Sequence, residues 1–232
     1  MKFQNILITG GLGYVGSKLS HFLSDFFNVR ILDVNYFGNN ILIEKLKLKN
    51  IEYIEGDIRD NKILETSLKD IDAVIHLASI SDDPCCELDP DLTYSVNYDS
   101  AINLLKLSKK MKLKRFINAS SSTVFGFKKE LNVTEDLELE PISLYGKLKA
   151  KFEKNVKEFN SENFSTVSLR PGTICGISFR QRFDVLVNIL TINALINSKI
   201  TIHGGNQFRT NIHIDDMVDI YKIILDAPDN LI

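Results

Sequence analysis

The amino-terminal run Lys2-Phe-Gln-Asn-Ile-Leu-Ile-Thr-Gly-Gly-Leu-Gly-Tyr-Val-Gly-Ser constrains the fold more than any other part of the chain. An apolar, β-rich stretch ends in glycines and passes at once into helical spacing through Leu19, Phe22, Leu23 and Phe26, which reads as strand, tight turn and helix. Two spellings overlap. Gly11, Gly13 and Gly16 satisfy G-x-G-x-x-G, and Gly10, Gly13 and Gly16 satisfy G-x-x-G-x-x-G. Glycines at 10, 13 and 16 let the backbone turn, approach a pyrophosphate and pack helix on strand, while amides at the helix start hold the anion. A second apolar run, Val29-Arg-Ile-Leu, ends at Asp33, about 20 residues beyond Gly13, where a carboxylate accepts from ribose hydroxyls. A carboxylate there repels a 2′-phosphate, so Asp33 argues for NAD over NADP. Arg30 precedes the strand's end and is discounted as a 2′-phosphate partner.

Residues 51–55, 73–77, 115–119 and 165–169 are further short apolar strands with helical patterns between them. Their alternation predicts an α/β fold, a doubly wound parallel sheet of Rossmann type. Ligands of such sheets sit at the carboxyl ends of the strands. The positions to inspect are therefore residues 9–16, Asp33, Gly56-Asp57-Ile58, Leu77-Ala78-Ser79, Ser120-Ser121-Ser122 and Arg170-Pro-Gly.

Tyr145 and Lys149 occupy i and i+4 in Ser143-Leu-Tyr-Gly-Lys-Leu-Lys-Ala-Lys, a spacing that puts both on one helix face. A phenol titrating near ~10 is a poor base at neutral pH, but a neighbouring ammonium, and a second positive charge more so, favours the phenolate. Such pairs are usually packing plus a solvated charge. This one gains meaning from the glycine turn and serine cluster that precede it in order.

The chain has 232 residues, 44% hydrophobic and 25% charged, with a net charge of −2. That supports one sizeable core and gives no reason to expect nucleic acid or membrane partners. No signal peptide or long apolar span is visible, and the expected address is the cytoplasm. Cys85, Cys86 and Cys175 suit neither a zinc site nor a disulfide framework and read as reduced bystanders; no metal is expected. His76, at the end of a strand, reads as a hydrogen-bonding loop residue rather than a catalytic one. Asp82, Asp83 and Glu87 read as a polar loop, and Asp215 and Asp216 as caps of a following helix over 217–225.

Taken together, Thr9-Gly-Gly-Leu-Gly-Tyr-Val-Gly, Gly56-Asp-Ile-Arg-Asp, His76-Leu-Ala, Asn97, Ser120-Ser-Ser-Thr-Val-Phe-Gly, Tyr145-Gly-Lys-Leu-Lys149, Arg170-Pro-Gly, Arg209 and His213-Ile-Asp-Asp resemble the extended short-chain dehydrogenases/reductases of the nucleotide-sugar epimerase/dehydratase family. The resemblance runs over essentially the whole chain. It implies an NAD site formed by Gly10, Gly13, Tyr14, Val15, Gly16, Asp33, Asp57, Ile58, Leu77, Ala78, Ser79, Asn97, Tyr145, Lys149 and Arg170, with Asp57 and Ile58 at the adenine. It further implies a catalytic group of Ser121, Tyr145 and Lys149, with Ser122 as the alternative hydroxyl. Tyr145 would take the proton of a sugar hydroxyl as hydride leaves the same carbon, Ser121 would relay it, and Lys149 would hold the ribose and depress the tyrosine pKa. Ser81, Ser122, Thr173, Arg182, Asn188 and Arg209 would meet a nucleotide-diphosphate sugar, arginine being suited to bidentate phosphate recognition.

Departures from the family pattern narrow the reading. Members that remove water across C5 and C6 place Asp-Glu after the catalytic hydroxyl residue, whereas Ser122 and Thr123 follow Ser121 here; this speaks against a 4,6-dehydratase. Cys175 has no histidine close in sequence and reads as packing. Phe125 and Thr173 replace a commoner Tyr and Asn. Relatives continue well past His213-Ile-Asp-Asp, so an NAD-binding domain over 1–172 is expected to precede a partial substrate-binding region over 173–232, whether the end is natural or a truncation. The expected activity is NAD-dependent epimerisation of a nucleotide sugar for polysaccharide biosynthesis. A ketoreductase is the nearest rival, and a non-catalytic NAD-binding sensor or assembly protein the rival from another class. Leu104, Leu105, Leu107, Leu148, Phe152, Val156 and Phe159, on helices over 92–110 and 144–159, are expected to build a four-helix homodimer interface unless they pack on the sheet.

Overall fold

Branched apolar runs become strands and the amphipathic stretches between them become helices. The computed structural model describes residues 3–130 and 132–231. Its first half runs β1 (Asn5–Thr9), α1 (Tyr14–Leu23), β2 (Asn28–Asp33), α2 (Asn40–Leu48), β3 (Glu52–Glu55), α3 (Asn61–Leu68) and β4 (Ala73–His76). Then follow α4 (Asp83–Leu88), α5 (Pro90–Tyr94), α6 (Ser100–Lys110), β5 (Arg115–Ala119), α7 (Leu144–Phe159) and β6 (Ser165–Leu169). The last part comprises β7 (Thr173–Cys175), α8 (Leu186–Asn197), β8 (Asn211–His213) and α9 (Ile214–Asp226).

A six-stranded sheet has the order β3-β2-β1-β4-β5-β6, with every pairing parallel. Its inner strands β1 and β4 are covered on both faces, which is why they read as continuous apolar runs, whereas the edge strand β3, EYIE, keeps both glutamates exposed. Ile6, Ile8, Leu19, Leu23, Met217 and Tyr221 share one core, and Leu7, Leu32, Val74, Leu104, Phe116 and Phe152 share the other. Thr9 is level with Leu32 and with His76, and His76 with Asn118. Strand order reverses between β1 and β4, so these level ends open a crevice where dinucleotides bind in such sheets.

Three details depart from the sequence reading. The helix expected over 92–110 is interrupted by a π-helical turn, Ser95–Asp99, a feature common at functional sites. Here it turns Asn97 inward onto the Ile80 backbone. The last helix starts at Ile214, and its cap is His213, whose Nδ1 accepts from the Asp215 amide. Asp215 instead pairs with Lys18 at 2.9 Å. The residues expected at a dimer interface are largely consumed inside the chain: Leu104, Leu105, Phe152 and Val156 belong to the second core, with Leu107 and Phe159 packed against it, and Leu148 is buried too.

After β6 the chain builds a small parallel pair, β7 with β8, while α8 carries no buried side chain. The following α9 returns to the first core through Met217, Val218, Tyr221 and Leu225, so the stretch after residue 172 is interleaved with what precedes it. Arg115 anchors this return. Its side chain is 0% exposed and pairs with Asp229 at 2.6 Å. The guanidinium also donates to the carbonyls of Ile224, Leu225 and Ala227 at the end of α9 and to Ser165 Oγ, where a cation complements the helix dipole. Arg115→Ala is expected to lower stability by about 2–4 kcal/mol, since it removes the donor to the α9 carbonyls and Ser165 and leaves a cavity, while the half-exposed Asp229 is resolvated. Urea unfolding measures it; a loss below about 1 kcal/mol would remove Arg115 as the anchor.

Candidate active site

The glycine turn is shaped for close approach. Gly10 sits at φ +75°, and a Cβ there would lie 2.7 Å from the Ala78 amide nitrogen; one at Gly16 would lie 2.1 Å from the Gly10 carbonyl oxygen. Gly11 is equally committed, since its Cβ would meet the Ile31 side chain at 2.5 Å. Both spellings of the motif thus use real constraints. A Cβ on Gly13 would meet only the Gly10 oxygen, at 3.2 Å, and Gly13 caps α1 with neither a side-chain cap nor an acidic residue in the first turn. The helix start is left for an anion.

Asp33 stands beside it. Its carboxylate accepts from the Leu12 amide at 3.0 Å and the Asn35 amide at 2.9 Å, and burial raises its pKa against those bonds. Arg30 is spent on Glu52 and on the carbonyls of Ser67 and Lys69. The Asp57 carboxylate is gripped by Arg59 and held below the usual range, with Ile58 buried beside it. Leu77 donates its amide to Thr9, Ala78 lies against Gly10, and Ser79 Oγ donates to the Ile80 carbonyl. The cradle at Gly10, Gly13 and Gly16, the uncapped helix and the ribose-level carboxylate fit a dinucleotide.

Several residues assigned to the dinucleotide have other work. Tyr14 is buried and donates its hydroxyl to the Gly176 carbonyl at 2.8 Å, and Val15 packs on the core, leaving their backbones at the helix start. Asn97 spends its amide on both polar groups of Ile80, accepting at 2.8 Å and donating at 2.9 Å, and so holds the strip 77–80 in place. Arg170 is paired with Glu153 at 2.7 Å, donates to the Glu135 carbonyl and stacks on Phe125. It fastens the end of β6 to α7.

Tyr145 and Lys149 do share one face of α7. The ammonium of Lys149 is 4% exposed, donates to the Ala119 carbonyl at 2.7 Å and lies 5.6 Å from the centre of the Tyr145 ring. Burial pushes its pKa down to about 8. Tyr145 is pushed up to about 12, chiefly by burial and then by the neighbouring Cys86, while Arg182 and the facing Ser121 hydroxyl oppose the rise. Burial outweighs Arg182 and the serine here, so without cofactor Tyr145 is a neutral phenol. Ser121 caps a short turn, its Oγ accepting from the Thr123 amide, and Ser122 donates its own amide to the Pro171 carbonyl. His76 is buried against Phe116 and Phe152, hydrogen-bonds Thr9 Oγ1 at 2.8 Å and is kept neutral by burial, at about 3. It is the last residue of β4 and bonds to the neighbouring strand rather than to a loop; its role is structural.

Among the residues expected to meet the sugar nucleotide, Arg182 donates to Ser81 Oγ at 3.3 Å and is paired with Asp184; its charge reaches Tyr145. Asn188 accepts from the Gly176 amide and donates to the Arg182 carbonyl and Tyr14 Oη, which fixes the loop rather than leaving the amide open. Thr173 lies in β7 and donates its amide to Thr210. Arg209 is exposed, and among the described residues it is not brought to Tyr145. Two groups escaped the sequence reading. Cys86 is fully buried, donates toward the Ile80 carbonyl at 3.5 Å and electrostatically touches both Tyr145 and Lys149. His213, far from Cys175 in sequence, stands opposite it in the β7–β8 register. No cluster of three or more metal-ligating side chains occurs among the described residues, nor does any helix there have the length and apolarity to cross a membrane.

Residues 6–232 match the NAD dependent epimerase/dehydratase family. The chain is 27% identical to UDP-glucose 4-epimerase of Lactobacillus helveticus, over 96% of this chain and 72% of the relative. It is 31% identical to dTDP-D-glucose 4,6-dehydratase of Dictyostelium discoideum, over 96% of this chain and 55% of the relative. Among solved structures, UDP-glucuronic acid 4-epimerase from Bacillus cereus, in complex with UDP-glucuronic acid and NAD, superposes with a TM-score of 0.88 at 30% identity, covering 99% of this chain and 75% of that one.

The buried ammonium generates a prediction with a definite sign. Its folded pKa of about 8 lies below the ordinary lysine value of 10.5, so between those values the unfolded chain binds the proton more tightly and Lys149 makes folding more favourable as pH rises. Below pH 8 the penalty is present in full. Lys149→Met is therefore expected to be more stable than wild type at pH 7 by about 1–3 kcal/mol, the burial cost less one hydrogen bond, and the gap should close toward pH 10. Denaturant unfolding at several pH values reads this; a destabilised variant at pH 7 would contradict it.

Proposed function

This chain belongs to the NAD dependent epimerase/dehydratase family, and on that premise we propose that it is an NAD-dependent epimerase of a nucleotide-diphosphate sugar, working through Ser121, Tyr145 and Lys149. One observation carries the reading. Lys149, pinned by the Ala119 carbonyl, fixes the helix face from which Tyr145 looks toward Ser121, at the crevice that begins with the glycine turn. The amides at the start of α1 hold the pyrophosphate, Asp33 accepts from the adenosine ribose, and Lys149 and Tyr145 take the nicotinamide ribose.

When bound, NAD supplies a carbon that accepts hydride and returns it. Tyr145 removes the proton of the reacting sugar hydroxyl and gives it back, with Ser121 hydrogen-bonded to the same oxygen. Lys149 keeps a positive charge beneath the phenol. Arg182, seated by Ser81, holds the diphosphate, and Ser122 and Thr173 border the sugar. The relatives' names support a nucleotide sugar. Ser122 and Thr123, standing where a 4,6-dehydratase needs acidic groups, favour epimerisation over elimination.

The chain is further proposed to work as a homodimer through α6 and α7. The residues that would carry the contact are Tyr98, Ile102 and Phe159, which pack on the second core by one side and stay partly exposed on the other, and Lys106; with Asn103 and Asn155 they line a shallow concavity. Light scattering should give twice the chain mass, and Ile102→Glu should return the monomer; a wild-type monomer at micromolar concentration would contradict this.

The activity test is proton NMR on purified protein with NAD and UDP-glucose, UDP-glucuronate or UDP-N-acetylglucosamine. One of them should convert to the inverted sugar with no net NADH. Tyr145→Phe should cut turnover by about 10²–10⁴ while weakening NAD by no more than about tenfold, the loss of one hydrogen bond to the ribose, and leaving the melting temperature nearly unchanged. Wild-type turnover by that variant would dispose of the proton shuttle, and stoichiometric NADH would make the chain a dehydrogenase.

A further inference from the structure

Segment 176–182, from the substrate-side part of the chain, is laced onto the first turn of α1. Tyr14 Oη donates to the Gly176 carbonyl at 2.8 Å, and Ser178 Oγ donates to the Tyr14 carbonyl at 2.6 Å. Ser178 and Ser17 hydroxyls lie 3.0 Å apart, and the Arg180 amide donates to Ser17 Oγ at 3.3 Å. Phe179 packs its ring against His21 of α1, 4.9 Å between centroids. The segment is thereby fixed beside the helix start that the glycine turn leaves open.

Arg180 is the residue this lacing delivers. Its guanidinium carbon lies 3.7 Å from the centre of the Phe37 ring, in the loop that follows Asp33, and Phe37 is 63% exposed. Stacking on an aromatic face orients the planar fork without using its donors. The charge is near enough to Asp33 to oppose that carboxyl's upward shift, yet among the described residues no hydrogen bond or ion pair engages the guanidinium. Partial burial and the neighbouring Arg182 lower its pKa, against the fields of Asp184 and Asp33. The other arginines around the site are committed: Arg170 to Glu153 and Arg182 to Asp184, Arg59 to Asp57 and Arg30 to Glu52.

We propose that Arg180 binds the pyrophosphate of the dinucleotide, gripping it from the side opposite the α1 amides. The substrate-side segment then takes part in holding the cofactor, because Gly176 and Ser178 tie that segment to Tyr14 and the Arg180 amide ties it to Ser17. Phosphate is the chemistry an oriented, unpaired guanidinium recognises bidentately. The proposal rests on the reading of the crevice as an NAD site.

The test is calorimetric titration of NAD, ADP-ribose and NADP into wild type, Arg180→Met and Arg180→Lys. Methionine keeps the apolar stem on Phe37 and removes the charge. NAD and ADP-ribose should each bind Arg180→Met about tenfold more weakly or worse, with the ligand-free melting temperature unchanged and the salt dependence of binding reduced. Lysine should recover part of the loss. Equal NAD affinity in wild type and Arg180→Met would overturn the proposal, as would a loss confined to NADP, which would place Arg180 at the 2′-phosphate. A melting temperature that falls in both variants would make the residue structural and overturn it as well. Failure of wild type itself to bind NAD would instead sink the reading of the crevice.

Discussion

The hydrogen bond from Lys149 to the Ala119 carbonyl is the contact on which the site depends. It joins the last residue of β5 to the face of α7 that carries Tyr145, and so sets the phenol against the serine turn that begins two residues beyond that strand. A buried ammonium with a backbone acceptor costs stability, since desolvation penalises the charge more than one bond returns. Glu153, one turn further along α7, adds a favourable field for Lys149 and is itself tied to Arg170, so β5, β6 and α7 are locked as a unit behind the phenol.

The opposite wall of the crevice is made by closeness rather than charge. Gly10 against Ala78 and Gly16 against Gly10 bring β1, β4 and α1 together at the reversal of strand order, and Thr9, bonded to His76, ties the two strand ends beneath them. Asn97, turned in by the π-helical turn, clamps the backbone of Ile80. The residues lining this wall thus act mostly through their backbone, with side chains turned to support.

The glycine turn, the level strands, Asp33 and the Tyr145–Lys149 face were legible in the sequence because each follows from local chemistry: spacing, strand-end position and the absence of a Cβ. Strands 115–119 and 165–169 are found where apolar runs placed them. What was not legible depends on long-range pairing. Sequence spacing could not reveal that Arg170 faces Glu153, that Asn97 faces Ile80, or that Leu104 and Phe152 are spent on the sheet rather than on a partner. Nor could it bring His213 opposite Cys175 or Cys86 beside Tyr145. The sign of the Tyr145 shift was also out of reach, since a neighbouring lysine is visible in sequence whereas burial, the largest cause of the shift, is not.

That balance is the centre of the account: a phenol held neutral by burial, over a lysine whose charge is already in place, becomes a base only when a further positive charge enters the crevice. Phenolate absorbance in the near ultraviolet, followed against pH as wild type minus Tyr145→Phe, reads that group alone among the 7 tyrosines. Without cofactor the difference signal should titrate near 12, and saturating NAD should move the midpoint down by at least one pH unit, about 1.4 kcal/mol of favourable field. A midpoint near or below 10 without cofactor, or one that NAD leaves in place, would contradict the account.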